Sequence, residues 1–196
     1  MKVVVATRNM GKVREIIGIL RGLDLDILTL EDLPHIPPPE ENGTSFKENA
    51  LKKARYYARY THMPVIADDS GLEVDFLEKR PGVFSARYAG EGATDEENNR
   101  KLLEELKGVP QDKRGAHYVC IIALVLPSGG EETFEGRCNG FIGEGTKGSG
   151  GFGYDPVFYL SEYGKTLAEL RLENKHRISH RGKALAKLKQ RLLKIS

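Results

Sequence analysis

An α/β class, a mixed β-sheet with helices packed on it, follows from three features of this 196-residue sequence. Its first seventy residues alternate short apolar runs with helical periodicity. Its middle carries one long β-hairpin pattern, and no internal repeat or low-complexity linker interrupts it. The opening β-α-β units demand parallel pairing and the hairpin antiparallel pairing, so the sheet is mixed.

Taken in order, Lys2 to Ala6 is a β-branched run that predicts a buried strand. Gly11 to Leu20 places Val13, Ile16, Ile17 and Leu20 at helical spacing, and Leu25 to Leu30 predicts the second strand. Glu31 to Gly43 contains Pro34 and the Pro37-Pro38-Pro39 run and predicts an irregular loop. Ser45 with Glu48 makes a capping box that opens a helix through Tyr60. Val65-Ile66-Ala67 is a third strand running into Asp68-Asp69-Ser70-Gly71. Thr94 with Glu97 caps a further helix that ends near Gly108. Ala116 to Leu126 and Glu132 to Ile142 are the hairpin strands, turned at Ser128-Gly129-Gly130. A glycine-rich loop covers Gly143 to Gly153, and a last helix runs from His180 to Lys194 with Leu185, Leu188, Leu192 and Ile195 on one stripe.

Composition narrows the function classes. Thirty Lys and Arg against 28 Asp and Glu leave +2, with 39% hydrophobic residues, 22 Gly and no Trp, which excludes disorder, collagen and coiled coil. No apolar run reaches the ~20 residues of a membrane span, and the start is too short in apolar residues for a signal peptide, so we expect a single cytoplasmic domain over residues 1–196. Cys120 and Cys138 read as reduced packing residues. From Lys165 to Ser196 ten basic residues stand against two acidic ones, a local +8 on a body of −6. That asymmetry points to a polyanionic small ligand or to nucleic acid.

Four places carry chemistry. Thr7-Arg8-Asn9-Met10-Gly11-Lys12 lies between a strand and a helix start, where free N–H groups favour an anion; the same residues also make an ordinary turn with Asn9 as cap and Lys12 solvated. Glu40 and Glu41 in the Pro-rich loop and Asp68, Asp69, Glu73 and Asp75 around the third strand form an acidic group, and one or two carboxylates at a strand end beside a phosphate suit Mg²⁺, although Asp68-Asp69-Ser70-Gly71 is also good turn chemistry. The loop from Gly143 matches G-x-G-x-x-G twice, but Phe152-Gly153-Tyr154-Asp155-Pro156 cannot start a helix, so a dinucleotide fold is rejected, and no G-K-[ST] ending marks a P-loop. What remains is a loop presenting Phe152 and Asp155 to a base, or a hairpin end with Phe152 in the core. Finally, Lys175 to Lys183 puts His180 and Arg181 in a helix's first turn, where cations oppose the dipole unless an anion is near. Neither a Ser-His-Asp or Cys-His arrangement nor zinc-like spacing is present.

Six stretches in this order resemble the inosine triphosphate pyrophosphatase family: Ala6 to Lys12, Thr44 to Ala50, Ala67 to Leu72, Pro81 to Tyr88, Gly150 to Pro156 and Ile178 to Gly182. They span nearly the whole chain, and the one departure is Arg8, where many members carry a small residue. The resemblance implies a long mixed sheet in two lobes around a central cleft, a homodimer, and Mg²⁺-dependent hydrolysis of ITP, dITP and XTP to the monophosphate and pyrophosphate, with no nucleic-acid or membrane partner. Carried over by position, Thr7 to Lys12 with Lys53 hold the triphosphate. Asp69 is the general base and a metal ligand, and Glu40 is the second metal ligand with Glu41 its rival. Ser70, Phe152 to Asp155, Lys175, His180 and Arg181 bind the nucleotide and its base.

Overall fold

A computed structural model describes residues 1–194. Its elements are β1 (Lys2–Val5), α1 (Met10–Leu20), β2 (Asp26–Thr29), α2 (Phe46–Thr61), β3 (Val65–Val74), α3 (Asp95–Glu105), β4 (Gly115–Val125), β5 (Glu131–Ile142), β6 (Phe158–Leu160), β7 (Lys165–Thr166), α4 (Leu172–Ile178) and α5 (His180–Leu192). The seven strands are ordered β2-β1-β3-β4-β5-β6-β7. β1 pairs in parallel with β2 and β3, while β5 with β6 and β6 with β7 are antiparallel, so the sheet is mixed as the β-α-β and hairpin patterns require.

The chain divides into two compact units, one comprising Met1–Asp69, Cys120–Gly136 and His180–Ser196, the other Ser70–Val119 and Arg137–Ser179. The first has a core of Val3, Val5, Ile16, Leu20, Ile66, Ile122 and Leu124 with Leu185, Leu188 and Leu192 of α5. Ile195, expected on the same stripe, lies outside the described residues. The second packs Leu72, Leu102, Leu106, Tyr118, Ile142, Tyr154 and Phe158. Both Cys120 and Cys138 are buried thiols. Among the described residues no helix is long and apolar enough to cross a membrane.

Three features depart from the sequence expectations. β3 does not stop at Ala67 but continues through Asp68-Asp69-Ser70-Gly71 to Val74, because the two carboxylates meet cations and hydrogen-bond donors there instead of water. On α1, Ile17 is exposed and Glu15 is buried, so the inward stripe is not purely apolar. α4, β6 and β7 fall in a stretch that lacks a clear period and went unread.

Candidate active site

In the first unit the turn from Thr7 to Lys12 joins β1 to α1. Asn9 is the N-cap, its Oδ1 accepting the Lys12 N–H at 3.1 Å, and the Thr7 hydroxyl accepts the Asn9 N–H at 3.2 Å. The capping role read for Asn9 therefore holds, but Lys12 is not solvated: its ammonium lies 3.1 Å from Asp68 Oδ2. Arg8 and Met10 are exposed, and Arg8 Nη2 donates to the Ile36 carbonyl.

Successive strand residues face opposite sides of a sheet, and β3 uses that alternation to give its two acids different company. Asp68 is wholly buried and accepts from Arg181 Nε and Nη2 at 3.3 and 3.2 Å, while Arg181 Nη1 reaches Glu15 Oε2 at 2.6 Å. Burial opposes ionisation of Asp68, but Lys12, Arg181 and Lys53 outweigh it and hold its carboxyl well below the usual range. For Asp69, 8% exposed, burial wins over the attraction of Lys12 and Lys53 and pushes the carboxyl up to about 6. One of its oxygens is buried without any hydrogen-bond partner. The Asn49 side chain bonds the same carboxylate, and Asn49 Oδ1 in turn accepts the Gly43 N–H at 2.8 Å, tying the Pro-rich loop to α2.

That loop delivers Glu41 to Lys53, with Oε1 2.6 Å from the ammonium, and Lys53 also donates to the Asp68 carbonyl at 3.2 Å. Lys53 is desolvated, yet Glu41 and Asp68 raise its proton affinity. Glu40 instead accepts from Asn42 Nδ2 at 3.2 Å. The structure thus brings Lys12, Lys53, Glu41, Asp68, Asp69 and Arg181 together, and adds Asn49 and Glu15, which the sequence reading did not single out. Gly136 explains how Arg181 gets there. A side chain at Gly136 would meet the His180 carbonyl oxygen at 2.0 Å, so only glycine lets the start of α5 lie against β5.

The second unit holds the glycine-rich loop. Gly151 has φ +76°, and a Cβ there would meet Asp155 Oδ2 at 2.0 Å, so glycine is required on both counts. Asp155 Oδ2 accepts the Phe152 N–H at 3.0 Å and takes the buried Lys175 ammonium at 2.7 Å. The same ammonium sits 4.9 Å from the centre of the half-buried Phe152 ring, in cation–π geometry. The Tyr154 N–H donates to the Tyr118 hydroxyl at 2.9 Å, and the Tyr154 hydroxyl donates to the Ser85 carbonyl at 2.8 Å. Phe152, Gly153, Tyr154, Asp155 and Lys175 are therefore one braced group. Ser70 begins this unit on β3, and His180 is buried at the head of α5 in the first.

Asp69 could hold a divalent cation: it is a hard oxygen ligand, buried, with one oxygen that has no hydrogen-bond partner. Among the described residues no three His, Cys, Asp or Glu side chains form a ready cage.

Known proteins resemble this chain over nearly its whole length. The Ham1 family model matches residues 3–191. The chain is 56% identical over 191 residues to the dITP/XTP pyrophosphatase of Geobacter sulfurreducens, covering 97% of this chain and 96% of that protein. It is 51% identical to the protein of that name from Geobacillus kaustophilus, covering 95% and 92%. Among solved structures, a HAM1 protein from Coxiella burnetii superposes with a TM-score of 0.91 at 40% identity and 99% coverage of both chains. A nucleoside-triphosphatase, dITP/XTP pyrophosphatase, from Mycobacterium abscessus gives 0.79 at 44%, covering 96% and 98%. With a family match running almost end to end and the mixed sheet that its relatives share, this chain belongs to the Ham1 family.

Proposed function

We propose that this protein hydrolyses non-standard purine nucleoside triphosphates, ITP, dITP and XTP, to the monophosphate and pyrophosphate. The observation that carries the reading is the buried carboxylate of Asp69, one oxygen unpartnered, between Lys12 and Lys53. Attack at the α-phosphorus brings water toward a group with several negative charges. Lys12 and Lys53 offset that charge, and Asp69 orients the water and takes its proton, a role open to a carboxyl poised near 6. Asp69 with Glu40, or with its rival Glu41, would hold Mg²⁺, which when bound neutralises phosphate charge and polarises the bridging oxygens. Glu41 is the one of the two that lies against Lys53.

Thr7 to Lys12 receive the triphosphate, and Phe152 to Asp155, with Ser70, Lys175, His180 and Arg181, bind the nucleotide and its base. A purine with a 6-keto group offers an acceptor where adenine offers a donor, so a donor aimed at that position rejects ATP. One domain over residues 1–196 belongs to this reading. The homodimer, the cytoplasmic location and the absence of nucleic-acid partners belong to the same reading. Against a free basic arm stand the partners of α5: Lys187 donates to the Glu135 carbonyl, Lys189 to Ile19 and Arg21, and Arg191 pairs with Glu132. A panel of nucleoside triphosphates assayed for pyrophosphate with and without Mg²⁺ tests the proposal. Release of pyrophosphate from ITP and XTP, but not from ATP, is the expected result. Orthophosphate as sole product, or metal-independent turnover, overturns it.

A further inference from the structure

Gly153, inside the loop just described, is gripped from a helix that the proposed mechanism does not use. The Asp95 Oδ2 accepts the Gly153 N–H at 2.6 Å, and the Asn99 Nδ2 donates to the Gly153 carbonyl at 2.9 Å. Asp95 and Asn99 are four residues apart on α3, so they share one face of the helix. Together they hold the two peptide planes that flank a residue at φ +65°, one position after Phe152.

Asn99 is poorly suited to a purely structural task. Its side chain is 4% exposed, and its Oδ1 is buried with no hydrogen-bond partner, whereas a leucine would fill similar space without stranding a carbonyl. The only side-chain hydrogen bond that it is seen to make is the one to Gly153. The loop's other braces act elsewhere: Asp155 on the Phe152 N–H, Tyr118 on the Tyr154 N–H. Between those two points the Phe152 carbonyl also accepts the Asp155 N–H, at a long 3.4 Å, while the N–H and carbonyl of Gly153 itself are met from α3.

We propose that Asp95 and Asn99 are positioning residues for base recognition: α3 clamps both peptides of Gly153 and so sets the plane of the Phe152 ring and the backbone groups that meet the purine edge. This rests on the reading of Phe152 to Asp155 as the base-binding loop. A stacked base reads its edge contacts within a few tenths of an ångström of ideal hydrogen-bond geometry, and a loosened platform loses them while the phosphate end stays held.

The test uses the whole protein with Asn99→Leu, Asp95→Ala and the conservative Asp95→Asn, which keeps an acceptor oxygen. Each is assayed for steady-state hydrolysis of ITP and ATP, for competitive inhibition by inorganic tripolyphosphate, and for melting temperature. For Asn99→Leu we expect no fall in melting temperature, about a tenfold rise in KM for ITP with kcat within about twofold, and a matching fall in the ITP-to-ATP preference. Tripolyphosphate inhibition stays at the wild-type level, Asp95→Ala moves the same way, and Asp95→Asn restores wild-type values. Wild-type KM and preference in both Asn99→Leu and Asp95→Ala, or a KM rise mirrored in tripolyphosphate inhibition, overturns the clamp while leaving the function intact. A wild-type protein inert toward ITP overturns both.

Discussion

The two units bury charge in opposite ways. Around Asp68 in the first, four carboxylates (Glu15, Glu41, Asp68 and Asp69) share three cations (Lys12, Lys53 and Arg181). Among them Asp69 is the strained one: burial pushes its carboxyl up to about 6 and one oxygen has no partner. In the second unit, the Asp155 carboxylate pairs with the buried Lys175 ammonium, and the loop's backbone groups are met by Asp155, Asp95, Asn99 and Tyr118. A buried charge is tolerated when paired and costly when not. The first unit is thus electrostatically unfinished at Asp69 and suited to chemistry on charged atoms, whereas in the second the charge pair and the loop backbone are finished, although Asn99 Oδ1 is stranded, and the unit is suited to holding a shape.

Asp69→Asn gives the largest effect and moves two quantities in opposite directions. Removing a general base lowers turnover by about 10²–10⁴-fold, read as pyrophosphate release from ITP. Stability goes the other way. Because the folded protein binds the Asp69 proton more tightly than the unfolded chain, the wild type loses stability as pH rises from about 4 to about 6, and the deficit is complete above 6. A rise from 3.8 to about 6 corresponds to ~3 kcal/mol. In EDTA, Asp69→Asn should be more stable than wild type by about that amount at pH 8 and equal to it near pH 4, measured by denaturant titration. Equal stability at both pH values would mean that the carboxylate is not under strain, and the contrast between the units would fail.

Lys175→Met probes the finished unit. It leaves Asp155 buried without its ammonium and should cost about 3–5 kcal/mol in denaturant unfolding. Lys12→Met should cost less, since Asp68 keeps both Arg181 bonds. The reverse order would show that the first unit, not the second, depends on a single pair.

How much of this was legible follows from how local each signal is. Asn9 as a cap, Ser45 as the cap of α2, the capping box of α3, and the strands β1, β4 and β5 are read from neighbours within a few residues, and they hold, although Glu48 returns to the Thr44 N–H and not to Ser45, so the box expected at α2 is only half formed. The motif stretches point to Lys12, Asp69 and Phe152 to Asp155, with Lys53, Lys175 and Arg181 beside them, but give no role to Glu15, Asn49, Asp95 or Asn99, which contact these groups. Glu15 is the clearest case. By periodicity Ile17 belongs inside and a glutamate outside, yet Glu15 is buried because Arg181 arrives from 166 residues away to meet it. Nothing within α1 announces that partner, although an acid adjoining the apolar stripe of Val13, Ile16 and Leu20 was a signal to follow. β3 was cut short for the same reason: two adjacent acids look like a turn until Lys12, Lys53 and Arg181 are placed around them. Asp95 and Asn99 lie 58 and 54 residues from Gly153, equally beyond any local pattern.

Gly136→Ala tests how the unfinished cluster is assembled. The ionic contacts of Arg181 are near ideal, but they do not place the residue; the backbone of α5 does, lying so close to β5 that a methyl group at position 136 would overlap the His180 carbonyl oxygen and the Ala184 nitrogen at 2.0 and 2.6 Å. Both obstacles are backbone, so the strain cannot be relieved by turning a side chain, and the head of α5 must move outward. Overpacking of this kind costs about 1–3 kcal/mol. The displacement should also loosen the Arg181 grip on Asp68 and Glu15, so ITP turnover should fall by more than the folded fraction does, while Lys175 and Asp155 in the other unit keep their pairing. Turnover per folded molecule unchanged from wild type would show that the ion network can re-form around a shifted helix, and that its geometry is set by charge alone and not by the glycine beneath it.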